Sequence, residues 1–341
     1  MKFFISCADF SAELYITRVS PFLGGEIFST SPKIKNSKCI IDLTKMSIIG
    51  IPSFKNLTKI FLYFINIVRF IIEQKIDLLI LCDAPDFNIP LGSIIKAIAQ
   101  NKIKIVYFIP PTVWAWRESR KTLVEGFSDK VLYIFPFEKS IWRKNGIFIG
   151  HPLCKIIRDE EKIFQRNKPE FITILPGSRI SEIKRHQDIV IELSDIFYKE
   201  GEKVIIPTNF PELFSKKSNL ILIPSEDSRW AMRNSKFIIT SSGTASLESA
   251  LLGKPAVVFY KIDSFSFEIA KRIVNIRFIS LPNIILNNTI YPELIQNDAT
   301  PERIYSEVKR IKDRKFDMIR QKLFSELEGL EFKEIAEIIR E

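Results

Sequence analysis

Short apolar runs punctuate the chain. Residues 3–7, 39–43, 78–82, 103–109 and 131–135 are each rich in β-branched, aliphatic or aromatic side chains and bounded by polar or turn residues. Runs without polar alternation are the pattern of strands buried on both faces. Helical patterns separate them, for example residues 11–19, stopped before Pro21, and 91–100. The rhythm restarts at 171–175, followed by a helix over 182–199, strands at 203–206 and 220–223, a short helix over 228–234, and strands at 237–240 and 256–260. Such alternation predicts an α/β fold with parallel sheets. Two halves of similar size, 1–160 and 161–341, predict two domains, with the cleft between them as the expected site and ligands outside the carboxyl ends of the strands. The charged run over 159–170 is the best linker candidate, and the chain beyond Pro301 reads as charged helices.

Residues 57–73 stand apart. Lys59, Asn66, Arg69 and Glu73 form one narrow helical stripe, and nearly every other position is Ile, Leu, Phe, Val or Tyr. A helix of this kind is either deeply buried or touches lipid. The preceding apolar stretch, 46–54, is broken by Gly50 and Pro52 and reads as a loop. No run reaches the ~18–20 apolar residues of a spanning helix. Met1-Lys2-Phe3-Phe4-Ile5 lacks a cleavage pattern and reads as the start of a buried strand.

Composition narrows the classes. With 341 residues, 46% hydrophobic, the chain exceeds one typical core and suits two. The net charge of +10 fits a polyanion, an anionic membrane face or phosphorylated substrates, and equally a solvated basic surface. Four scattered cysteines, Cys7, Cys39, Cys82 and Cys154, form no C-x-x-C, and His151 and His186 are the only histidines. No metal site, disulfide framework or cofactor is expected, and a reduced cytoplasmic setting fits. P-loop, G-x-G-x-x-G, G-x-S-x-G and nucleic-acid signatures are absent, so no nucleic-acid partner is expected.

Four stretches carry candidate chemistry. Asp83-Ala84-Pro85-Asp86-Phe87-Asn88 places two carboxylates at a strand's carboxyl end, where one can act as a general base or simply cap a turn. Pro110-Pro111-Thr112-Val113-Trp114-Ala115-Trp116-Arg117 offers indoles for stacking and, with Arg120, cations for phosphate, although either Trp can also be core. Leu175-Pro176-Gly177-Ser178-Arg179 brings a backbone that a ligand can approach beside a fixed cation. Ser241-Ser242-Gly243-Thr244-Ala245 opens a helix whose N–H groups suit an anion, and Glu248 lies just over one turn in, able to cap that helix or hold a ribose diol. Taken alone, that last turn equally describes a well-capped crossover helix.

In this order the motifs resemble the lipid-A-disaccharide synthase family, glycosyltransferases of the GT-B type with two Rossmann-like domains whose parallel sheets face a central cleft. The resemblance runs through Asp83-Ala84-Pro85-Asp86-Phe87-Asn88, Pro110-Pro111-Thr112-Val113-Trp114-Ala115-Trp116-Arg117, Phe135-Pro136-Phe137-Glu138, Phe148-Ile149-Gly150-His151-Pro152, Leu175-Pro176-Gly177-Ser178-Arg179, Ser242-Gly243-Thr244-Ala245-Ser246-Leu247-Glu248 and Ser280-Leu281-Pro282-Asn283, and covers nearly the full chain. The family's Gly-Glu-x-Ser-Gly-Asp turn is altered here to Ala8-Asp9-Phe10-Ser11-Ala12-Glu13, with both glycines replaced by alanine.

The resemblance implies an inverting transfer of 2,3-diacylglucosamine from UDP to the 6-hydroxyl of 2,3-diacylglucosamine 1-phosphate (lipid X). The products are the β-1,6-linked disaccharide 1-phosphate and UDP. It implies Asp83 as base, with Arg179 holding a phosphate or the leaving UDP. Asp86, Asn88, Trp116, Arg117, Ser11 and Glu13 become substrate contacts. Ser178, Ser242, Gly243, Thr244, Ala245, Glu248 and Asn283 become UDP contacts. It further implies a peripheral enzyme on the cytosolic face of the inner membrane of a Gram-negative bacterium, in contact with anionic lipid and either monomeric or a homodimer. Another GT-B UDP-sugar transferase or epimerase, and a catalytically inactive lipid-binding relative, are the alternatives.

Overall fold

The apolar runs become parallel strands of two separate sheets in the computed structural model, which describes residues 1–44, 54–115, 118–163, 170–214, 220–241, 243–263 and 277–341. One unit comprises Met1–Pro152 with Leu327–Glu341, the other Leu153–Glu326.

The first unit carries β1 (Lys2–Cys7), β2 (Glu26–Ser29), β3 (Ser37–Cys39), β4 (Leu78–Cys82), β5 (Lys104–Phe108), β6 (Lys130–Tyr133) and β7 (Gly146–Phe148) in the order β3-β2-β1-β4-β5-β6-β7. Every residue of β4 is buried, as a central parallel strand with helices on both faces requires. Its helices are α1 (Phe10–Val19), α2 (Phe54–Glu73), α3 (Pro85–Ala99) and α4 (Ser119–Phe127).

The second unit holds α5 (Pro152–Ile163, with Pro152 still in the first unit), β8 (Phe171–Leu175), α6 (Ile180–Lys199), β9 (Val204–Pro207), β10 (Leu220–Ile223), α7 (Ser228–Asn234), β11 (Ser235–Ser241), α8 (Thr244–Leu251), β12 (Ala256–Tyr260), α9 (Leu281–Leu286), β13 (Glu293–Ile295), α10 (Pro301–Ile311) and α11 (Asp317–Leu327). Its sheet order is β10-β9-β8-β11-β12-β13. The chain then returns to the first unit as α12 (Phe332–Arg340), whose Ile335, Ala336 and Ile339 are buried. That return crosses a tight backbone contact: a Cβ added at Gly150 would lie 2.4 Å from the Cα of Gly329. Leu330 N–H bonds to Ile149 O at 3.0 Å and His151 N–H to Leu327 O at 2.7 Å.

Several boundaries differ from the sequence reading. The division falls at 152/153 rather than 160. The charged run there is not a linker through residue 163 but the end of α5, because its acids are ion-pair partners: Glu160 binds Arg229 and Arg233, and Glu161 binds Arg320. The strand expected over 39–43 stops at Cys39, since Asp42 accepts from Thr44 N–H and Oγ1 and turns the chain. α3 starts at Pro85, not at 91; proline at the first helical position forfeits no hydrogen bond.

The helix α2 is neither wholly core nor wholly lipid-facing in pattern. Ile67 and Ile71 are fully buried in the core and Phe64 packs edge-on against Phe87 of α3. Phe61 (62% exposed), Leu62 (58%), Ile65 and Ile72 stand out on the other side. Residues 46–53 lie outside the described residues. Among the described residues no helix is long and apolar enough to cross a membrane.

Candidate active site

Each sheet reverses its strand order once, between β1 and β4 in the first unit and between β8 and β11 in the second. Loops diverge at the carboxyl ends of strands at such a point and leave room for a ligand. The polar motifs sit there.

In the first unit β4 runs into Asp83-Ala84, both left-handed, with φ of 42° and 44°. That conformation costs a residue such as alanine roughly 1–2 kcal/mol, and aspartate less. Three side chains hold it. The wholly buried Asn88 donates Nδ2 to the carbonyls of Asp83 at 2.8 Å and Cys82 at 3.0 Å. Ser6 Oγ donates to Asn88 Oδ1 at 2.6 Å, and Tyr107 OH donates to the Asp83 carbonyl at 2.9 Å. Asp83 itself is half-buried. Asp86, exposed on the first turn of α3, pairs with Arg120 of α4. The Ala8–Glu13 turn keeps a regular helix start despite its lost glycines: Asp9 caps α1 by accepting from Ser11 N–H at 2.8 Å and Ala12 N–H at 3.3 Å. Glu13 is buried and accepts from the Ser31 hydroxyl; burial raises its carboxyl above the ordinary range, and Ser31 and Lys33 offset part of that.

The wall beyond β6 is aromatic. Trp114 meets Phe135 and Phe137 edge-on, the packing of a core residue rather than an open stacking platform. Glu138 is buried among them and accepts from Phe135 N–H at 3.1 Å. Burial pushes its carboxyl up to about 7, partly offset by the N–H groups of Phe135 and Ile134 and by the indoles of Trp142 and Trp114. Those indole N–H groups lie near enough to favour the charge without meeting the geometry of a hydrogen bond to any described acceptor.

In the second unit both turns rest on glycine. Gly177 has φ 123° and Gly243 φ 117°, regions that side chains rarely adopt. Among the described residues no side chain caps the N-terminus of α8 at Gly243, and a helix N-terminus of this kind favours an anion. Glu182 Oε2 lies 3.3 Å from Ser178 N and 3.4 Å from Arg179 N, and Tyr260 OH donates to Oε1. The Arg179 side chain is more than half exposed. Glu248 is buried in an ion pair with Arg229. Burial raises the Glu248 carboxyl and Arg229 pulls it back in part; burial also opposes the Arg229 charge, which Glu248 and Glu160 outweigh. Asn283 is fully buried, donating to Tyr291 O and Glu293 Oε1 and accepting from the N–H groups of Ile290 and Tyr291.

The family model described as "Lipid-A-disaccharide synthetase" matches residues 25–341. The chain belongs to the lipid-A-disaccharide synthase family. Lipid-A-disaccharide synthase of Aquifex aeolicus is 32% identical over 336 residues, covering 92% of each chain. That of Persephonella marina is 32% identical over 337 residues, covering 89% of this chain and 87% of its own. Lipid-A-disaccharide synthase 1 of Legionella pneumophila (strain Lens) is 35% identical over 281 residues, covering 76% and 72%.

Solved structures share the two-domain GT-B fold. The UDP-GlcNAc 2-epimerase of Methanocaldococcus jannaschii, in complex with UDP-GlcNAc and UDP, superposes with a TM-score of 0.66 at 12% identity over 100% of this chain and 99% of its own. MurG of Acinetobacter baumannii gives 0.56 at 13% identity, with 99% of each covered. A member of the lipid-A-disaccharide synthase family is an enzyme, a glycosyltransferase of lipid A biosynthesis.

For this synthase-family chain the structure sorts the expected site residues. Asp83, Asp86, Asn88, Ser11 and Glu13 gather at carboxyl ends of first-unit strands, and Ser178, Arg179, Gly243, Thr244, Ala245 and Glu248 at those of the second. Trp116, Arg117 and Ser242 lie outside the described residues. Asn88 and Asn283 build turns with amides already committed to their own unit, unlike the direct ligand contacts expected of them. Tyr107, Glu182 and Arg229 did not emerge from the sequence. Glu182 had a signal, the acid three residues after the first residue of a helix-opening turn.

Proposed function

We propose that this enzyme transfers the sugar of UDP-2,3-diacylglucosamine to the 6-hydroxyl of 2,3-diacylglucosamine 1-phosphate. The Asp83 carboxylate takes the hydroxyl proton as the oxygen bonds to the anomeric carbon. The bond from that carbon to the β-phosphate oxygen breaks, and its electron pair leaves on UDP. Attack from the face opposite the leaving group inverts the centre to the β-1,6 linkage. Arg179 and the backbone at Gly243, Thr244 and Ala245, at the N-terminus of α8, meet the charge growing on the diphosphate, with Ser178 and Ser242 as further UDP contacts. Asp86 orients the base or meets sugar hydroxyls, Glu13 and Ser11 line the acceptor side, and Trp116 and Arg117 reach sugar or lipid phosphate. Glu248 serves the ribose only while bound to Arg229, and Asn283 serves UDP through the turn it shapes.

What carries this reading is the Asp83–Ala84 turn: strain held by buried side chains at a strand-order reversal, on the residue that the chemistry needs as a base. With both lipid substrates, purified protein should release UDP and form the disaccharide phosphate, and Asp83→Ala should lose about 10²–10⁴-fold of that rate. No disaccharide from the wild type overturns the reaction; undiminished turnover in Asp83→Ala overturns the base.

Both substrates carry acyl chains, so the same reading puts the enzyme on the cytosolic face of the inner membrane. The exposed stripe of Phe61, Leu62, Ile65 and Ile72 and the net charge of +10 support it. In flotation with anionic vesicles, Phe61→Asp with Ile65→Asp should abolish binding; unchanged binding removes α2 from the membrane contact.

A further inference from the structure

The geometry points to Tyr107 as a positioning residue of the transfer reaction, acting on Asp83 through the backbone of the Asp83–Ala84 turn.

Most described non-glycine residues with positive φ are Asn, Gln or Lys in turns and at helix ends, such as Asn36, Gln100 and Asn287. Asparagine in particular tolerates this region, because its short amide bonds locally. Ala84 and Ile109 do not fit that account, and Asp83, a residue type that does tolerate the region, stands beside them. Asp83 and Ala84 follow β4, and Ile109, with φ 61°, follows β5. A β-branched residue there is a genuine outlier. The three sit side by side, because Cys82 and Phe108 are register partners at the ends of these neighbouring strands. Strain of this sort persists only where the surroundings over-determine it, and it concentrates at functional sites.

The over-determining contacts converge on one atom. The Asp83 carbonyl receives both the Tyr107 hydroxyl at 2.9 Å and Asn88 Nδ2 at 2.8 Å, which fills both lone pairs of that oxygen. Asp83 N–H returns to Phe108 O at 3.2 Å, so the residue is tied to β5 through donor and acceptor alike. Tyr107 is wholly buried, and burial drives its phenol far from ionisation, which keeps it a neutral donor at any working pH. Asn88 is locked from the far side by Ser6 Oγ at 2.6 Å. A buried phenol merely seeking an acceptor would be satisfied by any carbonyl. Here it fastens the Asp83–Ala84 peptide, one of the two that set the direction of the Asp83 side chain.

This inference rests on Asp83 being the base. The test is steady-state kinetics of full-length Tyr107→Phe with both lipid substrates, run well below the variant's own unfolding temperature. Loss of the hydroxyl should lower kcat by about 10–100-fold with both KM values within about 2-fold, because a base misplaced by a fraction of an ångström costs rate rather than affinity. Amide exchange of the 82–88 segment should quicken in parallel. Ser6→Ala, which loosens Asn88 from the opposite end, should give a smaller fall of the same kind and serves if Tyr107→Phe does not fold. An unchanged kcat in a folded variant, or a fall in kcat with exchange unaltered, overturns the positioning role while Asp83→Ala remains inactive. Full activity in Asp83→Ala would instead remove the base itself, and is read from that variant alone.

Discussion

The two units solve the same problem at their strand ends with different materials. In the first, the turn after β4 uses Asp83 and Ala84 in a conformation that side chains avoid, held by Tyr107 and Asn88. In the second, the turns after β8 and β11 use Gly177 and Gly243, which adopt their φ freely. On the proposed mechanism, the contrast follows from what each turn presents. Backbone N–H groups that meet a diphosphate need close approach, which glycine permits. A general base needs a side chain, so glycine is excluded and the strain must be borne. The units differ in the same way over buried carboxylates. Glu248 is answered by Arg229, whereas Glu138 sits in an aromatic wall with N–H donors and, among the described residues, no cation in contact.

The largest effect should come from removing the cation. Arg229→Met leaves Glu248 and Glu160 buried or half-buried with their shared partner gone, and breaking a buried pair from one side costs about 3–5 kcal/mol. Denaturant unfolding should show this loss in the second unit. A loss under about 1 kcal/mol, the range of exposed pairs, would mean that Arg233 alone satisfies the acids.

Glu138 should respond with the opposite sign. Its native carboxyl is raised from the ordinary 4.5 to about 7, so its contribution to stability is full below pH 4.5 and is lost as pH rises through 7. Glu138→Gln keeps an acceptor for Phe135 N–H and removes that loss. At pH 8 the variant should be more stable than the wild type by up to roughly 3 kcal/mol. His151 has the reverse slope. Burial lowers it from 6.5 to about 3, so its contribution is full above 6.5 and is lost as pH falls towards 3. The two oppose each other between pH 4.5 and 6.5, and the variant should therefore lose stability steadily on acidification. Thermal unfolding against pH with no gain at pH 8 would show that Glu138 is not burdened by its burial.

Much of this architecture could be read from the chain alone. Residues 78–82, 171–175 and 256–260 are unbroken apolar runs, and burial on both faces leaves no other use for them. β7 and β13 were missed because three-residue edge strands carry too little pattern. The acids and glycines of the site were visible as strand-end motifs. Their conformations were not: nothing in an alanine or isoleucine announces a positive φ, since tertiary contacts impose it at Ala84 and Ile109. Tyr107 looked like any strand aromatic, because its hydroxyl's partner lies 24 residues away. Asn88 and Asn283 looked like ligand contacts because an amide that can bind a sugar can equally bind backbone.

The smallest energetic effect is the most discriminating, because it exchanges the materials of the two units. Gly177→Ala puts a Cβ 2.7 Å from Glu182 Oε2 and forces alanine to φ 123°, so it should destabilise by about 1–3 kcal/mol and weaken UDP binding. Ala84→Gly does the reverse. Glycine adopts φ 44° without strain, but it also frees the unfolded chain, by about 0.4–1 kcal/mol. These terms nearly cancel, and the net change in stability should fall within about 1 kcal/mol of zero. Activity should still fall, because the relaxed turn can leave the conformation that Tyr107 and Asn88 enforce, and Asp83 then samples poses in which it is not a base. Calorimetry and turnover measured on one preparation separate the two readouts. A variant of unchanged stability and full activity would show that Asp83 needs only a turn at this place, and that the strain in the first unit has no catalytic use.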